Sequence, residues 1–125
     1  MNENEISFKV RGCIFKVYYN LGPGLLESSY EAALIYEIEK LNLAVRNPVP
    51  LPMIYESIRV NVGYRLDLLV EDKVIVEIKS VEQLTEVHHK QLITYLKLSG
   101  RKLGLLVNFN ADDIKASIFR KVNGL

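Results

Sequence analysis

Two β-strands joined by a tight turn are predicted for the segment Tyr64-Arg-Leu-Asp-Leu-Leu-Val-Glu-Asp-Lys-Val-Ile-Val-Glu-Ile-Lys79. Its branched and aromatic residues lie on either side of an acidic turn around Asp72, a pattern that is typical of consecutive antiparallel strands. We therefore predict one strand from Tyr64 to Glu71 and a second strand from Lys73 to Ser80.

The pairing of these two strands follows from the alternation of side chains between the faces of a sheet. A slip of one residue would move every apolar side chain to the wrong face, so the register is strongly specified. Matching apolar with apolar predicts Val70 opposite Val74, Leu68 opposite Val76, and Leu66 opposite Ile78. The same register sets Asp67 opposite Glu77 on the other face of both strands.

Asp67 and Glu77, which we call the acid pair, repel each other within a largely apolar sheet, so a cation is expected beside them. Lys79 follows Glu77 on the same face, and a divalent cation that takes oxygen ligands would satisfy both acids. The alternative is a salt-bridge cluster in which Arg65 and Lys79 neutralise the acids without a metal. Spacing favours neither interpretation over the other.

Three helices are predicted around these strands, because apolar positions recur at intervals of three or four residues. They run from about Ser7 to Tyr19, from about Leu25 to Leu41, and from about Thr85 to Ser99. The third helix has Thr85 as its N-cap and Gly100 as its C-terminal stop.

Four further segments have the composition of strands. Arg46–Pro52 has three prolines at alternate positions, so it can form only an edge strand or an extended connection. Ile58–Val62 begins a meander that continues into the two central strands, Lys102–Phe109 is a buried strand, and Ile114–Val122 is the last strand. The order is α-α-β-β-β-α-β-β, and the chain length predicts one α/β domain over residues 1–125.

The second helix offers two acids to the sheet. Glu27 lies roughly 60° from Tyr30 in a helical projection, near the positive N-terminal end, and Glu37 lies almost beneath Tyr30. Periodicity does not decide which of the two reaches the acid pair. On the third helix, Gln91 and Tyr95 belong to a polar stripe that begins at His88 and is typical of an interface edge.

The composition limits the possible partners and locations. The formal net charge is +1, so no strong positive field indicates a polyanionic partner. The single cysteine, Cys13, excludes an intrachain disulfide and is predicted to be a buried thiol. No secretory signal precedes the first helix and no segment approaches the ~20 apolar residues of a membrane span, so we expect no membrane association and a cytoplasmic location.

Several short motifs resemble those of the GxxExxY protein family, which is similar to the PD-(D/E)xK nucleases. They cover nearly the whole chain and are specific in combination. They are Gly24-Leu-Leu-Glu-Ser-Ser-Tyr30, Tyr64-Arg-Leu-Asp-Leu-Leu-Val70, Val76-Glu-Ile-Lys79, His88-His-Lys-Gln-Leu-Ile-Thr-Tyr-Leu96 and Leu106-Val-Asn-Phe109.

The resemblance implies a restriction-endonuclease-like α/β core, in which helices flank a mixed central sheet. It also implies a role for each matching position. Glu27 would be the helical acid, the acid pair would bind metal together with Glu27 and the main-chain carbonyl of Ile78, and Lys79 and Gln91 would complete the catalytic set. The implied cofactor is Mg²⁺, with Mn²⁺ as a substitute.

The function that the resemblance implies is Mg²⁺-dependent hydrolysis of phosphodiester bonds in nucleic acid. Two alternatives remain: a non-catalytic module that keeps the nuclease fold to bind nucleic acid or protein, and an enzyme that acts on small phosphate compounds. A chain of 14.3 kDa has little surface for gripping a duplex alone, so a symmetric homodimer is a further expectation.

Overall fold

The computed structural model describes all residues, 1–125, and contains three α-helices: α1 (Glu3–Leu21), α2 (Glu27–Lys40) and α3 (Glu86–Ser99). Helix α1 starts with a capping box, in which the Asn2 side chain accepts from Glu5 N and the Glu5 side chain accepts from Asn2 N. Helix α3 ends at Gly100, whose left-handed φ of 70° suits glycine. The three predicted helices are confirmed, with ends that differ by a few residues.

Seven strands form two sheets. They are β1 (Val45–Arg46), β2 (Val49–Tyr55), β3 (Ile58–Leu66), β4 (Leu68–Val70), β5 (Val74–Lys79), β6 (Leu103–Asn108) and β7 (Ile118–Val122). The central sheet has five strands in the order β1-β4-β5-β6-β7, and only β5 and β6 are parallel. Helix α3 connects those two strands, as a parallel pair requires a long crossover. The predicted mixed sheet flanked by helices is confirmed.

Helices cover both faces of the central sheet. On one face, α1 and α2 contribute Ile14 and Leu34 to a core cluster that also contains Leu68, Val76 and Ile78. A second cluster lies on the opposite face. It combines α3 residues with residues of the small sheet and the central sheet: Leu92, Tyr95, Leu96, Val49, Leu51, Leu66, Leu69, Ile75 and Leu106.

The predicted meander is wrong in one respect. Strand β3 pairs with β2 in a separate two-stranded sheet, and it does not join β4 as a neighbour. Strand β2 begins at Val49 within the proline-rich segment, and its prolines are tolerated because β2 has a partner on one side only. The last strand is also shorter than predicted, because a short 3₁₀ turn occupies Lys115–Ser117.

The predicted register of the central strands is confirmed at two of three pairs. Val70 lies opposite Val74, and Leu68 lies opposite Val76. The third predicted pair is wrong, because Leu66 belongs to β3 and is buried on the α3 face of the sheet. No helix of the chain has both the length and the apolar character needed to cross a membrane.

Candidate active site

Asp67 occupies the point where the chain leaves the small sheet and enters the central sheet. It is a bend between β3 and β4, and it belongs to neither strand. In an unbroken strand, Leu66 and Leu68 would lie on the same face. Here they belong to different core clusters, so the direction of the side chains changes at Asp67. Local irregularities of this kind redirect a side chain, and this one lets the carboxylate of Asp67 approach β5.

The acid pair is held by two reciprocal hydrogen bonds. The backbone N–H of Asp67 donates to Glu77 Oε2 at 2.8 Å. The backbone N–H of Ile78 donates to Asp67 Oδ2, also at 2.8 Å. One oxygen of each carboxylate is therefore fixed by the backbone beside the other acid, and the second oxygen accepts no hydrogen bond from the chain. The two acids lie together as predicted, but side-chain bonds to the backbone replace simple cross-strand pairing.

The acid pair has no ion-pair partner in the protein. Glu77 is only 2% exposed, and Asp67 is half-buried. Neither Lys79 nor Arg65 forms an ion pair with them, so the structure does not contain the salt-bridge cluster that the sequence left open as the alternative to a metal site. The four ion pairs of the chain lie elsewhere: Lys16 with Glu37, Lys40 with Glu37, Arg46 with Asp72, and Arg101 with Asp72.

Burial and mutual repulsion favour the protonated forms of both acids. Loss of hydration raises the pKa of Glu77 to about 8, and the neighbouring charge of Asp67 adds to this effect. Loss of hydration also raises the pKa of Asp67, against the lowering effects of the Ile78 N–H and of Lys79. Such an arrangement is typical of a site built to receive a cation or a proton.

Lys79 is the last residue of β5 and is half-buried. Its charge lowers the pKa of both Asp67 and Glu77, so it is the basic side chain most closely coupled to the acid pair. The ammonium group forms no hydrogen bond with the protein. It therefore remains free to contact a ligand at the carboxyl end of β5.

The N-terminal turn of α2 is fastened to the same end of β5. The carboxylate of Glu27 accepts a hydrogen bond from Ser80 N at 3.4 Å, and Ser80 Oγ donates to Leu25 O at 2.6 Å. The Tyr30 hydroxyl donates to Gly22 O at 2.5 Å and accepts from Leu25 N at 3.1 Å. Glu27 is thereby held close to the residue that follows Lys79.

Glu31 is a site residue that the sequence interpretation missed. It lines a cleft of about 330 Å³ together with Asp67, Arg65 and Tyr95, and its charge raises the pKa of both members of the acid pair. Its carboxylate also contacts the Asn47 amide, which donates to Asp67 O at 2.7 Å. The available signal was its position four residues after Glu27, which places both acids on one side of α2.

Glu37, the other helical candidate, does not reach the site. It is paired with Lys16 at 3.2 Å and with Lys40 at 3.0 Å on the far part of α2. These three residues form what we call the lysine-paired cluster. The alternative that the sequence left open is therefore decided against Glu37.

Tyr95 approaches the site from α3, and it lines the cleft at Asp67. Tyr95 is 5% exposed, its ring contacts that of Tyr64, and burial together with the charges of the acid pair raises the pKa of its hydroxyl. Gln91 lies one helical turn earlier, is half-buried, and has no hydrogen-bond partner in the protein. His88, at the start of the same polar stripe, caps the helix, because its Nδ1 accepts a hydrogen bond from Thr85 N.

The donor set of the acid pair fits a hard divalent cation in part. Two carboxylate oxygens without protein partners are suitable ligands for Mg²⁺. Nowhere in the chain do three acidic, histidine or cysteine side chains converge to form a complete metal-binding cluster. Glu27 lies against Ser80, and it does not form a three-acid cluster with Asp67 and Glu77. Main-chain oxygens and water would have to supply the remaining ligands.

Comparison with known proteins gives one finding. The family model of the PD-(D/E)XK nuclease superfamily matches residues 4–121, which is nearly the whole chain. No curated protein and no solved structure is significantly similar to the chain. The match includes the acid pair, Lys79, and all the strands and helices that bring them together, and we conclude that the chain belongs to the PD-(D/E)XK nuclease superfamily.

Proposed function

We propose that this protein is a metal-dependent nuclease that hydrolyses phosphodiester bonds of nucleic acid with Mg²⁺, for which Mn²⁺ is a substitute. The observation that supports it best is the buried acid pair, because two adjacent carboxylates are fixed by the backbone and receive no cation from the protein. Two acids buried against each other lower the stability of the metal-free fold, so this arrangement favours a function that uses it.

Asp67 and Glu77 would hold the ion through the carboxylate oxygens that make no hydrogen bond, and the main-chain carbonyl of Ile78 would add a third ligand. When bound, the ion would place positive charge beside the scissile phosphate and lower the pKa of an attacking water. The bonds from Ile78 N and Asp67 N keep both carboxylates in place before the ion arrives. This preorganisation reduces the cost of binding.

In this proposal Lys79 orients the attacking water or stabilises the charge that develops on the phosphate. Its free ammonium lies at the end of the strand that contains Glu77, where it donates to the attacking water or to a phosphate oxygen. Glu27 holds the main chain directly after Lys79, and the free amide of Gln91 is available to position water or phosphate. Both residues therefore support the geometry of the reaction.

Cleavage assays test the proposal directly. Purified protein is incubated with linear, single-stranded and branched DNA and with RNA, in Mg²⁺ or Mn²⁺, beside an Asp67→Asn control that removes one charge at nearly constant volume. We expect metal-dependent cleavage by the wild type and none by the control. Equal activity of the two preparations on every substrate would contradict the proposal.

A second candidate function is a non-catalytic module that binds nucleic acid or protein. Two observations favour it: no three-acid cluster is present, and the acid that approaches from α2 is used in a structural hydrogen bond. Binding of nucleic acid that persists in an Asp67→Asn/Glu77→Gln variant, with no cleavage by the wild type, would support this module.

Sedimentation of the wild type with and without DNA would test the proposed homodimer.

A further inference from the structure

The hairpin of β2 and β3 projects from the domain beside the candidate site. Only its base is in the core, where Val49, Leu51 and Leu66 join the cluster on the α3 face. Every residue from 52 to 65 is half-buried or exposed. A two-stranded hairpin is marginally stable alone, and this outer part contributes little apolar burial to the fold. Stability of the fold therefore does not account for this part of the hairpin.

One face of the hairpin is basic. Arg59, Asn61 and Arg65 line one groove of the hairpin, and we call these three residues the arginine face. Tyr64 contacts the ring of Tyr95 on α3, and Leu66 joins the core cluster on the α3 face. All three residues of the arginine face are exposed, and their side chains form no ion pair or hydrogen bond with the protein. Charges that are neither buried nor paired are available to an external anion.

The arginine face is continuous with the candidate site. A groove of about 210 Å³ on the hairpin is lined by Arg59, Asn61, Gly63 and Arg65. The cleft at Asp67 is also lined by Gly63 and Arg65, so the two concave surfaces share these residues. Gly63 has a φ of 84°, which glycine adopts without strain, and the pairing of β2 with β3 shifts beside it. A single ligand can therefore occupy both surfaces.

We propose that the arginine face binds the sugar–phosphate backbone of the nucleic acid whose phosphodiester enters the site at Asp67. The presence of nucleic acid at Asp67 rests on the proposed function. The location of the nucleotides that flank the cleaved bond is inferred from the hairpin. The acid pair and Glu31 repel a polyanion, so cations next to the cleft are needed to hold it. Arg59 and Arg65 supply them as planar forks suited to phosphate.

The geometry also predicts the extent of the contact. Arg59 lies opposite Ile54 and Arg65 lies opposite Pro50, so the two arginines are four β2 positions apart, which is roughly 13 Å along the strand. A ligand held at both arginines therefore covers more than one nucleotide on one side of the cleaved bond. Asn61, between them, is placed to donate its amide to a phosphate or to a base edge.

Binding measured without cleavage tests this proposal. The probe is a fluorescein-labelled single strand of roughly 20 nucleotides, and its affinity for the full chain is measured by anisotropy in EDTA over a series of salt concentrations. Arg59→Gln and Arg65→Gln are each expected to weaken binding several-fold and to reduce the slope of log affinity against log salt by about 0.7. The matched control is Lys102→Gln. Lys102 is exposed and directly precedes β6, at the end of the sheet away from Lys79, so this variant should keep the wild-type slope.

Two outcomes separate this inference from the nuclease proposal. If Arg59→Gln keeps the wild-type affinity and slope while the protein still cleaves through Asp67, the arginine face is not the binding surface and the nuclease proposal stands. If no substrate is cleaved but binding depends on Arg59 and Arg65 and not on Lys102, the binding surface is supported and the nuclease proposal fails. A melting temperature equal to that of the wild type for Arg59→Gln verifies that the fold is intact.

Discussion

The acid pair and the lysine-paired cluster place the same kind of side chain in opposite surroundings. Glu37 is 9% exposed and accepts from two lysines, and its hydrogen bond with Lys40, followed by that with Lys16, lowers its pKa. Glu77 is 2% exposed and lies against a second acid, and burial raises its pKa to about 8. One buried glutamate is satisfied within the protein, and the other is left for a ligand.

The difference shows which buried charge contributes to the fold and which is a candidate for chemistry. A carboxylate that is paired on both sides is a structural element, because removing it leaves two lysines without a partner. A carboxylate whose neighbour has the same charge costs stability until a cation or proton arrives. Four pairs of predictions test this distinction, and they are given from the largest expected effect to the smallest.

Removing a lysine from each region should have different consequences for catalysis. We expect Lys79→Met to lower phosphodiester cleavage by about 10² or more, because a positioned donor or charge-stabilising group is lost. Lys16→Met, in the lysine-paired cluster, should leave cleavage unchanged at temperatures where it is folded. Rates on one DNA substrate at saturating Mg²⁺ measure both effects.

Mg²⁺ titration followed by thermal melting completes the test of Lys79. The Lys79→Met variant should bind the ion at least as tightly as the wild type, because a competing charge is gone. Cleavage at the wild-type rate with saturating metal would exclude a catalytic role for Lys79, although the metal site itself would survive that result.

Neutralising one glutamate in each region should change stability with opposite signs. Glu77→Gln keeps an oxygen that can accept from Asp67 N and is neutral without taking up a proton. Because burial and the charge of Asp67 raise the pKa of Glu77 to about 8, we expect the variant to stabilise the protein on the order of 3 kcal/mol in EDTA at pH 7. Glu37→Gln removes the charge that both lysines bind, so it should be less stable than the wild type. Urea unfolding measures both. A Glu77→Gln variant that is less stable than the wild type would contradict the repulsion.

The pH dependence of stability should distinguish the two regions further. In EDTA, the raised pKa of Glu77 contributes stability that is present below about 4.5 and is lost as pH rises towards about 8. We expect this loss to approach ~1.4 kcal/mol per pH unit in that interval and to disappear in Glu77→Gln. The lowered pKa of Glu37 has the opposite sign, and its contribution is lost as pH falls below the ordinary range of a glutamate. A wild-type curve that is flat between these values would contradict the assignment.

The smallest effect concerns two tyrosine hydroxyls, of which one has hydrogen-bond partners in the protein and the other has none. The Tyr30 hydroxyl has two backbone partners, whereas that of Tyr95 has none. We expect Tyr30→Phe to cost about 1–2 kcal/mol, since two partners lose a hydrogen bond, and Tyr95→Phe to change stability by less than ~0.5 kcal/mol. Equal losses in the two variants, measured by thermal melting, would show that Tyr95 also has a structural hydrogen bond.

The fold could be predicted from sequence where a local period decided it. Alternation of apolar residues was sufficient to pair Val70 with Val74 and Leu68 with Val76, because a slip would expose the core. It failed at Leu66, since alternation presumes one continuous strand. The bend at Asp67 lies where β3, which pairs with the preceding strand β2 in the small sheet, gives way to β4 of the central sheet, and the alternation of apolar residues does not show where one sheet ends and the other begins.

The acids of α2 show a second limit of sequence patterns. A helical projection gives the direction of a side chain but omits its height along the axis. Glu37 follows Tyr30 by two turns, or roughly 10 Å, so it shares the direction of Tyr30 and still misses the site. Glu31 lies at the right height, but its role depends on the approach of Asn47 and Asp67 from elsewhere in the chain. The single-domain organisation, the cytoplasmic location and the narrower GxxExxY resemblance stay predictions.

The hydrogen bonds around Tyr30 affect how the signature Gly24-Leu-Leu-Glu27-Ser-Ser-Tyr30 should be interpreted in related proteins. Gly24 has a φ of 99°, the Tyr30 hydroxyl closes the turn before α2, and Glu27 ties that turn to the strand end. All three residues would be under selection for architecture even in a chain that had lost its chemistry. A relative that keeps the signature but has replaced Asp67 or Lys79 would then be a degenerate enzyme with an intact scaffold. Activity should therefore be inferred from the acid pair and its lysine, and common descent from the signature.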